Sequence, residues 1–216
     1  MTSVLTPNRA WAKLASDEQI ARTAAALEAN GMRTIVADTG DAARHEVFKL
    51  LPVGAQVLTM TSRTLETIGV AEEINEPSEV TEPRRFDAVR PKLLQMDMKT
   101  QWSEMRRLGA SPDYTIGSVH AVTEHGEVLV ASASGSQHAA YVYGAGSVIW
   151  VVGSQKIVAD RDAAFKRIYE YSLPREDERA REAYGMGSAV NKVLVVNREF
   201  MPDRITIILV KQELGF

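Results

Sequence analysis

Residues 111–158 read S-P-D-Y-T-I-G-S-V-H-A-V-T-E-H-G-E-V-L-V-A-S-A-S-G-S-Q-H-A-A-Y-V-Y-G-A-G-S-V-I-W-V-V-G-S-Q-K-I-V. Three apolar runs stand out, Tyr114 to Ile116, Val128 to Ala131 and Val148 to Val152, and each has the length of a buried strand. The last shows no alternation, as expected of a strand covered on both faces. Gly117, Gly126, Gly135, Gly144, Gly146 and Gly153 punctuate the runs, with the small hydroxyls Ser118, Thr123, Ser134 and Ser136 close by. Buried strands that end in glycine and hydroxyl turns can support a ligand site at strand ends. The same glycines also suit the tight turns of an ordinary α/β core.

Working outward toward the N-terminus, Thr6-Pro7-Asn8 opens a short helical segment. Ser16 and Gln19 form a capping box for a helix that Asn30-Gly31 closes, so residues 1–30 are read as a helical N-terminal segment. Arg33 to Ala37 is a short β-branched strand. Asp41 can cap a helix from Ala42 to Leu51. Gln56 to Met60 is a second strand, and Thr61 and Ser62 can cap a helix reaching Ile74. Alternating helices and strands are the rhythm of crossovers onto a parallel sheet. Pro77 to Pro91 is polar and proline-punctuated and is expected on the surface. Lys92 to Leu108 reads as one or two helices, with Trp102 among the apolar residues expected in the core.

Within the central stretch, Ser118 to Thr123 is read as one or two turns and Ser136 to Tyr143 as helix-like. Beyond it, Asp162 to Tyr171 is amphipathic. Pro174 is expected to interrupt that helix before the charged, solvated run Arg175 to Glu182. Lys192 to Val196 and Arg204 to Val210 are two further strands. Gly215-Phe216 is expected to dock on the core.

At 216 residues, with 45% hydrophobic and 25% charged side chains, the chain has the make-up of one ordinary globular domain. A net charge of −3 lacks the concentrated basic face that a nucleic-acid binder needs. No apolar run is long enough to span a membrane, and the first residues lack a secretory core, so the expected location is cytoplasmic. The chain contains no cysteine, which removes disulfides, thiolate catalysis and cysteine-ligated zinc or iron–sulfur clusters. The four histidines form no compact ligand motif. A site from His120, Glu124 and His138 stays open, but no metal or cofactor is called for.

Few side chains in the central stretch can do chemistry. Glu124 follows a buried strand and a glycine turn, and in a low-dielectric cleft its pKa would rise into the acid–base range. It can equally be a capping or ion-paired glutamate. His120, four residues earlier, would share its side of a helical turn, either as an oriented partner or in a surface hydrogen bond. Gly117-Ser118 and Gly135-Ser136 offer hydroxyl and backbone donors to an anion at successive strand ends. Lys156, just past the most buried strand, can meet a phosphate or carboxylate, or simply start a solvated helix. Neither a phosphate-binding P-loop nor a dinucleotide fingerprint is present.

Several separated motifs resemble, in order, those of the LUD domain family of lactate-utilisation-type proteins. They are D-Y-T-I-G-S-V-H-A-V-T-E-H-G-E-V, A-S-x-S-G-S-Q, V-I-W-V-V-G-S-Q-K-I-V, Y-x-L-P-x-E-x-E-R-A and the closing R-I-T-I-I-L-V-K-Q-E-L-G-F. The resemblance runs from about Leu93 to Phe216 and more weakly to the N-terminus. It implies a three-layer α/β/α sandwich with a mostly parallel sheet, similar to the sugar-phosphate isomerase and coenzyme A transferase superfamily. It further implies a small anionic metabolite (carboxylate, phosphate or acyl-CoA) and a cleft bounded by Gly117, Ser118, Glu124, Gly126, Gly135, Ser136 and Lys156. Relatives act with oxidoreductase subunits that carry iron–sulfur clusters. A cysteine-free chain would leave redox chemistry to such partners and could itself form a homodimer. Three functions stay open. They are an accessory or regulatory component of organic-acid utilisation, an autonomous isomerase or acyl/CoA transferase using Glu124, and an interaction protein without a small-molecule site.

Overall fold

The computed structural model describes residues 5–76 and 85–216. Residues 77–84 of the polar segment expected on the surface therefore lie outside the described residues. The strands are β1 (Arg33–Ala37), β2 (Gln56–Thr59), β3 (Asp87–Ala88), β4 (Tyr114–Gly117), β5 (Ala121–Thr123), β6 (Val128–Ser132), β7 (Ser147–Gly153), β8 (Ile157–Val158), β9 (Lys192–Val196) and β10 (Ile205–Val210). The helices are α1 (Asp17–Ala29), α2 (Gly40–Leu50), α3 (Arg63–Thr67), α4 (Val70–Asn75), α5 (Val89–Gln95), α6 (Trp102–Ala110), α7 (Arg161–Arg167) and α8 (Leu173–Tyr184).

Six strands form one sheet in the order β1-β10-β7-β4-β2-β3, and every neighbouring pair is parallel. At its centre β7 and β10 are apolar on both faces, which is why neither alternates. Ile149, Val151, Ile208 and Val210 point one way, against Val47 of α2, Leu65 of α3 and Val70 and Ile74 of α4. Val148, Trp150, Val152, Ile205, Ile207 and Leu209 point the other way, against Ile20 and Leu27 of α1 and Val122, Val128 and Val130 of a second sheet.

That second sheet, ordered β8-β5-β6-β9, is mixed, with β5 antiparallel to β6 and parallel to β8. Its outer face, Ala121, Leu129, Ala131 and Val158, packs on Ala164 and Ile168 of α7 and its continuation. The parallel sheet and its flanking helices match the expected α/β class. A four-stranded sheet, however, occupies much of the face where the three-layer sandwich called for helices.

Local differences have local causes. Ser118 to Thr123 is not a helical turn. Ala121–Thr123 pairs as β5 and lies between two apolar layers, with Ala121 turned toward α7 and Val122 toward the parallel sheet. The turn that follows is a tight hairpin closed at Gly126, whose φ of 78° and approach to Ala26 leave no room for a side chain. The helix expected to reach Ile74 breaks at Gly69 into α3 and α4. Thr39, rather than Asp41, caps α2.

Pro174 does not interrupt the following helix. It occupies the first turn of α8, where no amide donor is needed, after a wide turn at Ile168–Ser172. Trp102, expected in the core, is half exposed on α6. The C-terminus docks as expected, with Gln155 Nε2 donating to the carbonyls of Leu214 (3.0 Å) and Gly215 (3.4 Å).

The sheet order puts β2 beside β4 and sends their chains to opposite sides. The segment after β2 goes to α3 on one face, and the segment after β4 goes to β5 on the other. Neighbouring parallel strands whose connections diverge in this way leave a crevice at their carboxyl ends.

Candidate functional site

A cleft of about 300 Å³ opens at that crevice. Met60–Thr64 reaches it from the end of β2, Ser118–His120 from the end of β4, and Lys156 from the short turn after β7. A loop bearing Ser132, Ser134 and Ser136 after β6 closes one side, and Phe216 of the docked terminus contributes to the lining.

Lys156 lies at the floor and is essentially inaccessible to solvent. Its Nζ donates to Thr64 Oγ1 at 3.1 Å and to Ser118 Oγ at 3.0 Å. Each hydroxyl has its own acceptor, Ser118 on the Val151 carbonyl at 2.7 Å and Thr64 on the Leu214 carbonyl at 3.0 Å. No carboxylate among the described residues pairs with the amine. Burial, reinforced by the Arg167 charge, drives its pKa far below that of a free lysine.

Arg167 of α7 is the second buried basic side chain. It donates to the carbonyls of Trp11 (3.2 Å), Gln155 (3.3 Å) and His120 and to Ser172 Oγ (3.0 Å), while Nη2 has no partner. Burial lowers its pKa to about 10, so it keeps its charge at neutral pH. His120 Nδ1 accepts from the Ala131 amide at 3.1 Å, which assigns the ring proton to Nε2. Burial, then the charges of Lys156, Arg167 and His138, hold its pKa down at about 3. The imidazole is therefore neutral and offers an N–H donor to the cleft it lines.

On the rim, Arg90 Nη2 donates to Thr61 Oγ1 at 2.7 Å and has no carboxylate partner among the described residues. Arg179, by contrast, is engaged by Glu176 at 2.8 and 2.6 Å. The serine loop is internally bonded, with Ser132 Oγ accepting from the Gly135 amide (2.8 Å) and donating to Gln137 Oε1 (2.9 Å). Gly135 makes this turn with φ 82°.

The residues expected to act together separate into two groups. Ser118, His120, Ser136 and Lys156 line the cleft, while Gly117 lies buried at the end of β4 and Gly135 shapes the serine loop. Glu124 and Gly126 belong to the β5–β6 hairpin and do not line it. The expected rise in the Glu124 pKa is overturned. Hydrogen bonds from Gln19 Nε2 (3.0 Å) and Arg22 (2.8 Å) hold it below the usual carboxylate value. His120 and Glu124 share no helical turn, because a strand separates them. Nor do His120, Glu124 and His138 converge, and the described residues contain no group of three His or acidic side chains able to hold a metal.

Sequence reasoning passed over Thr64, Arg90 and Arg167. Thr64 had a usable signal, a hydroxyl-rich T-S-R-T directly after a buried strand. Arg90 sat in a segment assigned to the surface. Arg167 looked like one more charge on an amphipathic helix.

The model of the LUD domain matches residues 20–210. No curated protein matches the chain. Among solved structures, the crystal structure of a DUF162 family protein from Deinococcus radiodurans superposes with a TM-score of 0.52 at 11% identity, covering 92% of this chain and 99% of that one. At that identity the likeness is one of fold. The chain belongs to the LUD domain family.

Proposed function

We propose that this LUD domain chain binds a small anionic metabolite, a carboxylate, a phosphate or an acyl-CoA, at the cleft where β2, β4 and β7 end. Its role on this reading is that of an accessory or regulatory component of organic-acid, lactate-type utilisation. The observation that carries the binding reading is the charge balance of the cleft. Arg167 is buried beneath it and Arg90 lies on its rim, neither paired with a carboxylate among the described residues, and the Lys156 amine offers hydrogens beside them. Uncompensated cations in a low-dielectric site favour an anion that supplies the missing charge. Arg90 and Lys156 hold the anion, His120 donates a hydrogen bond to it, and Ser118 and Thr64 position the amine. Glu124 is structural on this reading.

The accessory role is supported by an apolar surface on neighbouring elements, with Leu94, Met98, Trp102, Val142 and Tyr143 all exposed. Partner subunits carrying iron–sulfur clusters, or a second copy of the chain, suit such a surface. A catalytic reading, isomerase or acyl transfer in the manner of the sugar-phosphate isomerase and coenzyme A transferase superfamily, draws support from a neutral imidazole and a low-pKa amine in one cleft. It would use Lys156 and His120 in place of Glu124.

A thermal-shift screen of lactate, sugar phosphates, coenzyme A esters and folates tests the binding reading, since a ligand raises apparent stability by mass action. The expected result is a shift with at least one anion that Arg90→Gln and Lys156→Met weaken and Glu124→Gln leaves unchanged. A folded protein that responds to none of these anions, or responds equally in Arg90→Gln and Lys156→Met, sinks the reading.

A further inference from the structure

The hydrogen bonds around Lys156 specify more than a positive charge. An ammonium carries three hydrogens and seeks three acceptors together with a counter-charge. This site provides two acceptors, Thr64 Oγ1 and Ser118 Oγ, and a neighbouring cation, Arg167. Each hydroxyl has an oxygen acceptor for its hydrogen, Ser118 the Val151 carbonyl and Thr64 the Leu214 carbonyl or Ser118 Oγ at 3.3 Å, so both hydrogens are committed to oxygen rather than to the nitrogen. An uncharged amine fits this set. Its two hydrogens satisfy the two oxygens, and its lone pair has no partner among the described residues.

The other polar groups of the cleft suit what an amine lone pair attacks. His120 is locked as a neutral Nε2–H donor, the group needed beside a polarised carbonyl oxygen. Arg90 is a planar fork without a carboxylate partner among the described residues, matched to a carboxylate's two oxygens. Resting on the anion-binding reading above, we propose that Lys156 Nζ forms a reversible imine with the carbonyl carbon of a small 2-oxo acid whose carboxylate is held by Arg90.

In the first step the nitrogen lone pair forms the C–N bond while the carbonyl π pair moves to oxygen, which His120 Nε2–H stabilises. Transfer of one proton from nitrogen to that oxygen completes the carbinolamine. That hydroxyl then departs with the second amine proton as water, leaving C=N. Nothing is oxidised or reduced, and amine plus carbonyl equals imine plus water. Burial favours the uncharged amine, which is the form that attacks.

The test is reductive trapping of the wild-type protein with pyruvate and cyanoborohydride, followed by peptide mapping, with thermal shift in parallel. The expected result is one adduct per chain at Lys156, formed at pH 7 well ahead of any other lysine. Arg90→Gln should slow it at least tenfold, lactate should compete, and acetone, which has no carboxylate, should not be trapped. Mapping on wild type does not depend on the folding of a Lys156 variant.

If pyruvate and lactate shift the melting temperature alike but Lys156 stays unmodified, the imine is overturned and the anion site stands. Adducts spread over surface lysines at similar rates overturn the imine as well. Trapping with dihydroxyacetone phosphate but not pyruvate overturns the 2-oxo acid assignment. Failure of every anion to bind overturns both this inference and the binding reading on which it rests.

Discussion

Lys156 Nζ lies 3.0 Å from Ser118 Oγ, whose own hydrogen is committed to the Val151 carbonyl at 2.7 Å. The carboxyl end of β4 is thereby joined to the turn after β7 through an amine that no carboxylate among the described residues pairs with. Hydroxyl and amine come from residues 38 positions apart. They meet because β4 and β7 are paired neighbours in the sheet.

Replacing Lys156 by Met should leave the protein as stable as wild type at pH 7, or more stable by about 1 kcal/mol, because an uncompensated buried polar group is exchanged for apolar volume. The pH dependence follows from linkage. The folded-state pKa is depressed, so between the folded and unfolded values the unfolded chain binds more protons and stability rises with pH. Urea titrations across the alkaline half of that window, up to the pKa of a free lysine, should show this gain in wild type and its absence in Lys156→Met. Parallel curves for the two proteins would mean that the amine titrates normally.

His120 gives the corresponding effect in acid. Its pKa falls from 6.5 unfolded to about 3 folded. The contribution from the neutral ring is complete above 6.5 and is lost as the pH drops toward 3, because the unfolded state takes up the proton first. His120→Asn keeps an acceptor for the Ala131 amide and cannot titrate. Its stability curve should be flatter than that of wild type between those limits, by about 1 kcal/mol or more. Chemical denaturation at pH 4 and pH 7 decides it.

Gly117→Ala should be strongly destabilising, by about 2–4 kcal/mol as for an overpacked core. A Cβ there would collide with Tyr141 Oη, and it would come within 3.0 Å of Tyr141 Cζ and 3.3 Å of Met60 Cβ. Tyr141 is fully buried and packs edge-on against Trp150, so it cannot swing away. Adding Tyr141→Phe removes the oxygen and should restore part of the loss. A double mutant no more stable than Gly117→Ala would show that the clash is not with the phenol.

Glu124→Gln should cost under about 1 kcal/mol, since Arg22 is more than half exposed and such pairs are screened. Anion binding in the cleft should be unchanged. A tenfold loss of affinity in this variant would return Glu124 to the site.

Much of the framework was legible from local signals. The Ser16–Gln19 capping box, the unalternating Ser147–Val152 run and the β-prone Arg204–Val210 segment each formed as read. Ser118 and Lys156 stand out as chemically able because each follows a buried strand, and His120 because of its four-residue spacing to Glu124. Glu124 satisfied the same rule and lies on a hairpin away from the cleft. A position after a strand does not reveal which sheet the strand joins, and β5 joins the second one.

From its own order of residues the chain determined its longer strands, its principal helices, the family motifs and the absence of thiol chemistry, because periodicity, capping and composition act over a few residues. Tertiary structure decided the rest. It placed Thr64 and Ser118 around Lys156, buried Arg167 with Nη2 lacking a hydrogen-bond partner among the described residues, and spent Glu124 on Arg22. Strand order and burial set those relations. Desolvation and charge pairing depend on distances through space, which no local pattern of residues encodes.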